Sequence, residues 1–276
     1  MSSYNKTDAV LEILMVLLAA VFLIPVYYLL VTTFKTPSAA VAHPMGLPLH
    51  ITFDNYVNAF KAMNYLRVLS NNLIISSSAV ISIIVFSSMA AYSLARRMHR
   101  LNRFLFMLFM VGMMVPYQMG ILALYKLVIQ LHLMNTLTGV ILIEICYSLP
   151  FSIFLFRSFI HSTVPFELEE AARVDGCGVW RTFWQIVFPL LKPVIGTVAI
   201  LNVLSTWNDF MTPLLFLQSR EKGVLLLEVF RNVGQFSVDW TNLFPMMFLA
   251  VLPLMIFYIL MQKFIIHGIT AGAVKG

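Results

Sequence analysis

Twelve acidic residues and six histidines supply most of the acid–base chemistry in this 276-residue chain, and their spacing limits what they can do. No Gly-x4-Gly-Lys-Ser/Thr phosphate loop, nucleophile elbow or His-Glu-x2-His pair occurs. The histidines are scattered, and His99, His132 and His161 flank apolar runs rather than forming a ligand set. The pattern therefore points away from an enzyme and offers neither catalytic nor metal-binding residues. What remains is recognition by hydrogen bonds and charge. Glu144 sits inside an apolar run, where an ionisable group is costly and so a functional candidate. It could line a path, pair with a basic group on a partner, or serve helix packing. Gln118, Tyr147, Asn202, Trp207, Asn208 and Asp209 add amides, carboxyls and aromatic faces, the mixture a carbohydrate would use. The plainer reading makes Trp207 an interfacial anchor and the amides glue between helices.

A second group lies in the polar stretch 157–192. Pro165 sits near a first helical turn, followed by Glu167, Glu169 and Glu170, where negative charge suits the positive end of a helix dipole. Ala171, Ala172 and Arg173 continue that helix, and Gly176 can end it in a left-handed conformation. From about Val179 a second helix carries Trp180, Phe183, Trp184 and Val187 at i, i+3, i+4, i+7, one apolar stripe closed by Pro189 and Pro193. The stripe either docks on a partner or packs under the chain's own helices or the membrane interface.

The elements that position these groups are set by composition. With 60% hydrophobic and 11% charged residues and a mean hydropathy of +0.88, the chain lacks the charge a water-soluble surface needs. The bilayer is its solvent. Six apolar stretches are long enough to cross, at about 10–34, 69–95, 104–125, 137–156, 193–217 and 243–262. Internal Pro25, Pro116, Pro150, Pro213 and Pro253 are tolerated with kinks or unwound turns. The basic loop Arg96–Arg103 holds four arginines and no acid, so it belongs on the cytoplasmic side. That places the N-terminus, 157–192 and the C-terminal tail inside, with 11 of the 18 Lys and Arg residues. The expected fold is one all-α integral membrane domain over residues 1–276, N-in and C-in. A cytoplasmic helix–turn–helix joins spans four and five. Outside, a helix is expected over Asp54–Met63, capped by Asp54 or Asn55. Cys146 and Cys177 read as free thiols. The net charge of +6 reflects membrane orientation rather than nucleic-acid binding.

Glu170-Ala171-Ala172, then Gly176, Ile186 and Pro189 at fixed spacing, resemble the EAA loop of ABC importer permeases, E-A-A-x3-G-x9-I-x-L-P. Phe188 stands where leucine is usual, an apolar replacement. Trp207-Asn208-Asp209-Phe210 and the ending from Gly268 to Gly276 resemble the carbohydrate-uptake branch, on the side of the second permease of the maltose transporter. The resemblance covers about residue 10 onward. It implies a subunit of the bacterial or archaeal cytoplasmic membrane that moves a sugar by alternating access. The implied partners are a second permease, two cytoplasmic ATPase subunits and an extracytoplasmic binding protein, besides membrane lipid. ATP and magnesium would sit on the ATPases, with no cofactor here. Glu170, Ala171, Ala172, Asp175 and Gly176 would form the coupling helix and turn, with Ile186 and Pro189 behind them. The tail from Gly268 would reach between the ATPases or fray. An importer of another polar solute, such as a glycerol phosphate ester, is the alternative within the family. A secondary transporter is the one outside it, and leaves 157–192 unexplained.

Overall fold

The computed structural model describes residues 6–97, 99–233 and 238–273, which are helical with no strand among them. The labelled helices are α1 (Lys6–Thr33), α2 (Tyr65–Arg96), α3 (Arg100–Met114), α4 (Ile121–Gln130), α5 (Leu137–Thr163), α6 (Glu167–Val174), α7 (Val179–Leu190), α8 (Lys192–Asn208), α9 (Met211–Phe216) and α10 (Trp240–Ala273). Four of them contain stretches long and apolar enough to cross a bilayer: Val10–Thr33, Tyr65–Arg96, Leu137–Thr163 and Trp240–Gln262. Two further crossings arise if each bent pair counts as one, α3 with the segment Tyr117–Gln130 and α7 with α8.

The bends fall in two of the expected spans whose internal prolines allow a kink or an unwound turn. The stretch 104–125 is not one straight helix: its halves meet at 94°. Pro116 forces Val115 out of the helical region and supplies no N–H of its own, so the chain turns there. The stretch 193–217 is interrupted as well. α8 ends at Asn208, and Asp209 turns extended, its Oδ1 accepting the backbone N–H groups of Met211 at 3.0 Å and Thr212 at 3.3 Å. A short carboxylate beside free N–H groups starts a new helix more readily than it continues an old one.

The chain divides into two compact units. One combines the residues up to Tyr65 with Glu228–Leu252. Here Asn55 donates to the carbonyls of Thr33 (2.9 Å) and Lys35 (2.7 Å), sealing the C-terminal end of α1. Lys35 is buried, its ammonium donating to His43 and Pro44 carbonyls, and that burial lowers its pKa from the ordinary lysine value. The helix Asp54–Ala62 forms, but neither Asp54 nor Asn55 caps it. Phe53 holds the cap position, and the Thr52 hydroxyl accepts the Asp54 N–H. The Tyr65 hydroxyl donates to Leu249 O on α10.

The other unit comprises Leu66–Leu227 and the chain from Pro253 onward. Its main core packs Ala79, Ile83 and Leu94 of α2 against Ile153, Phe156 and Ile160 of α5, Phe183 and Val187 of α7, and Val198 of α8. Asn135 organises the turn before α5 with a positive φ of 57°. Its N–H donates to Phe216 O, and its Oδ1 accepts from Gln218 N, Ser219 N and the Ser219 hydroxyl. The Thr136 hydroxyl then caps α5 by accepting the Gly139 N–H. The segment from Gly268, expected either to reach between the ATPases or to fray, continues α10 as helix to Ala273, while residues 274–276 lie outside the described residues.

Candidate functional site

The polar stretch folds as two short helices with a tight turn between them. Pro165 lies two residues ahead of α6 rather than in its first turn. At the other end Gly176 has φ +78°, the left-handed conformation that glycine adopts without penalty. The Cys177 N–H reaches back to Ala172 O at 2.8 Å and the Gly176 N–H to Arg173 O at 3.0 Å, the paired bonds of a Schellman turn. These bonds satisfy carbonyls that a helix end would otherwise leave open.

Of the three glutamates in the first turn, one points in. Glu169 is fully buried. Its Oε1 accepts from Arg96 Nε at 2.7 Å and its Oε2 from the Tyr92 hydroxyl at 2.9 Å, both on α2. Arg96 also donates to Val164 O at 2.7 Å, and Arg96 and Arg173 each lie 5.6 Å from the Phe166 ring centroid. Glu170, Ala171, Asp175 and Gly176 are exposed, Ala172 is buried against the chain, Ile186 is half-buried and Pro189 exposed. The sequence marks all three acids as favourable at the helix start. Which of them turns inward depends on α2, so Glu169, Arg96 and Tyr92 carry no separate signal there.

The aromatic stripe divides. Phe183 (2% exposed) and Val187 (0%) enter the core, whereas Trp180 is 66% exposed and Trp184 partly so. Trp180 overhangs the edge of that core. It lines a hollow of about 600 Å³ with Arg96, Arg97, Arg173 and Cys177. Between Phe183 and Val187 the helix widens into a π turn, with the Phe188 N–H bonded to Phe183 O. Pro189 lies just beyond, lacking an N–H and crowding the carbonyl four residues back, which favours a wider turn. Truncating the two rings should therefore give opposite results. Phe183→Ala should cost about 3–5 kcal/mol of stability through lost burial and a cavity. Trp180→Ala should leave the melting temperature in detergent unchanged while weakening co-purification of any subunit that docks on the exposed ring. Equal destabilisation by both would mean the stripe is only core.

The expected path residues fall into two groups. A cleft of about 690 Å³ is lined by Tyr117, Cys146, Tyr147, Asn202 and Ser205, among others. A smaller one of about 220 Å³ is lined by Tyr117, Gln118, Glu144, Tyr147, Ser205, Asp209 and Thr212. Gln118, Glu144, Tyr147, Asn202 and Asp209 thus reach these two clefts. Trp207 is buried and Asn208 turns its amide to its own Leu204 carbonyl, and neither lines them. Glu144 (6% exposed) accepts from the Thr206 hydroxyl at 3.3 Å. Asn202 donates to the Ser152 hydroxyl and to Val198 O. Tyr117, Ser205 and Thr212 join the clefts without having stood out in sequence, because only the bend at Pro116 and the break at Asp209 bring them there.

The family described as "Binding-protein-dependent transport system inner membrane component" matches residues 83–271. The melibiose/raffinose/stachyose import permease protein MelC of Bacillus subtilis is 33% identical, with 99% of this chain and 98% of that protein covered. The probable starch degradation products transport system permease protein AmyC of Thermoanaerobacterium thermosulfurigenes is 32% identical, with 96% of each chain covered. In three dimensions the chain superposes on a chain of a bacterial ABC transporter involved in importing the acidic polysaccharide alginate. The TM-score is 0.84 at 22% identity, covering 95% of this chain and 99% of the other. Fold, spans and near-complete alignment agree: this chain belongs to the family of binding-protein-dependent transport system inner membrane components.

Proposed function

We propose that the chain is a sugar-translocating permease subunit of an ATP-driven importer in the cytoplasmic membrane. It crosses six times, α3 with Tyr117–Gln130 forming one crossing and α8 with α9 another, with both termini and the stretch 157–192, α7 included, on the cytoplasmic side. It pairs with a second permease, takes solute from an extracytoplasmic binding protein, and is driven by two ATPase subunits that hold ATP and magnesium. Alternating access follows from two-state packing, with α6 and α7 transmitting the ATPase movement.

The observation that carries this reading is the two-faced loop. Glu169, Ala172, Phe183 and Val187 fasten it to the chain, while Glu170, Ala171, Asp175, Gly176 and Trp180 face outward. A helix gripped on one side and bare on the other is built to be held by something else. The sugar assignment draws on the cargo named for the relatives. It draws also on the clefts, which offer tyrosine rings with amide, hydroxyl and carboxyl groups. Among the described residues no Lys or Arg lines either cleft, which disfavours a phosphate ester as cargo.

Orientation and drive are tested together. With Cys146 replaced by alanine, a membrane-impermeant maleimide should label Cys177 in inside-out vesicles and not in right-side-out ones. Proteoliposomes holding all partner subunits should accumulate labelled raffinose or maltotriose only with ATP inside the ATPase compartment. Labelling from the outer face, or uptake by this chain alone without nucleotide, refutes the proposal.

A further inference from the structure

We infer that Tyr92, Arg96 and Glu169 form a rigid polar joint that makes the end of α2 and the coupling loop move as one body, so that these three are positioning residues for coupling. The inference rests on the reading of 157–192 as the ATPase-facing loop, and deepens it.

The geometry is specific. Tyr92 and Arg96 stand four residues apart on α2 and so share one face of its last turns. Each Glu169 oxygen has its own donor from that face, Arg96 Nε at 2.7 Å and the Tyr92 hydroxyl at 2.9 Å. Arg96 reaches past the carboxylate to Val164 O, the residue that caps the end of α5. The Tyr92 ring lies 5.3 Å from that of Phe183 on α7. One face of α2 therefore holds the end of α5, α6 through Glu169, and the start of the π turn in α7.

A sliding apolar contact would let the loop tilt on α2 at little cost. A buried carboxylate with two directed donors does not, because any tilt that parts them leaves a charge without a partner. The polar joint need not add net stability over an apolar one, since buried ion pairs seldom do. What it adds is direction: displacement of the exposed face of α6 is passed to α2 instead of being absorbed between them. Glu170, one residue on, points outward and takes no part in the joint. The two neighbouring acids thus have separate roles, one toward the partner and one toward the lever.

The test uses the assembled transporter with Cys146 and Cys177 replaced and spin labels at Val174→Cys on α6 and Phe86→Cys on α2, both exposed positions. The distance distribution between labels should stay equally narrow with and without ATP. In Glu169→Gln and in Tyr92→Phe it should broaden at least twofold on adding ATP. In the same variants, the amount of raffinose or maltotriose delivered per ATP hydrolysed should fall at least fivefold while the ATPases remain bound. The exchange Arg96→Glu with Glu169→Arg should recover part of that ratio over either single change. Unchanged widths in the variants overturn the inference, as does a broad ATP-dependent distribution in the unaltered chain. Should Glu169→Gln fail to assemble, Tyr92→Phe decides alone, since it removes one hydroxyl and keeps the ring on Phe183. If the unaltered transporter moves no solute with ATP, the importer reading fails. The distance widths in this chain still decide the joint.

Discussion

Gly176→Pro should abolish uptake while the protein still inserts in the membrane. Proline fixes φ near −65°, whereas Gly176 stands at +78°. It also deletes the N–H that closes on Arg173 O. Forcing the turn open costs about 3 kcal/mol, enough to displace a short helix such as α6 from its register. A Cβ at this position meets nothing within 4 Å, so the effect is one of backbone conformation and not of space. Graded substitutions separate the two. Gly176→Ala should show an intermediate loss, since a left-handed L-residue costs about 1–2 kcal/mol. Gly176→Asn should retain most of the uptake, asparagine tolerating that conformation best after glycine. Adding Glu170→Lys should abolish any remaining ATPase co-purification without altering membrane abundance, because Glu170 is exposed. Full uptake by Gly176→Pro at normal abundance would remove the turn from the coupling path.

Gly139→Val should be the most destabilising single substitution near the clefts. A Cβ on Gly139 would lie 2.5 Å from Leu133 O and 3.2 Å from the Thr136 hydroxyl oxygen. The first is a backbone atom in the turn that Asn135 ties to Phe216 and Ser219, so relief requires moving that whole turn. Overpacking of this kind costs about 1–3 kcal/mol, and a β-branched side chain falls at the upper end. The expected result is a melting temperature in detergent lowered by several degrees, with a smaller fall for Gly139→Ala. Unaltered melting in both would show that the turn yields freely.

Much of this fold was legible because the bilayer imposes length and apolarity together. The runs 10–34, 69–95, 137–156 and 243–262 correspond to α1, α2, α5 and α10. α5 extends past its apolar run to Thr163, since a helix continues into water as long as its hydrogen bonds are kept. Hydropathy carries no information about direction: Pro116 and Pro213 allowed kinks in their runs, but neither the 94° angle at the first nor the restart of the helix after Asp209 could be read from them. In the loop, Gly176 was readable because one conformation needs one residue type. The inward turn of Glu169 was not, because it depends on Tyr92 and Arg96, more than seventy positions earlier. The cap of Asp54–Ala62 was misassigned for a related reason. Asn55 has the right chemistry for a cap but is drawn off by the carbonyls ending α1.

The π turn between Phe183 and Val187 fits one residue more into its circuit than an ordinary helix would. Deleting a single residue there would restore regular winding and leave the two sides nearly in phase, because the wide turn already absorbs the extra residue. A deletion in the regular turn just after it would instead swing everything ahead by about 100° relative to the helix beyond. The indole of Trp180 would then aim elsewhere, although no side chain touching it had changed. Spacing between the glycine and the proline is therefore as much a part of this loop's identity as the residues that occupy it.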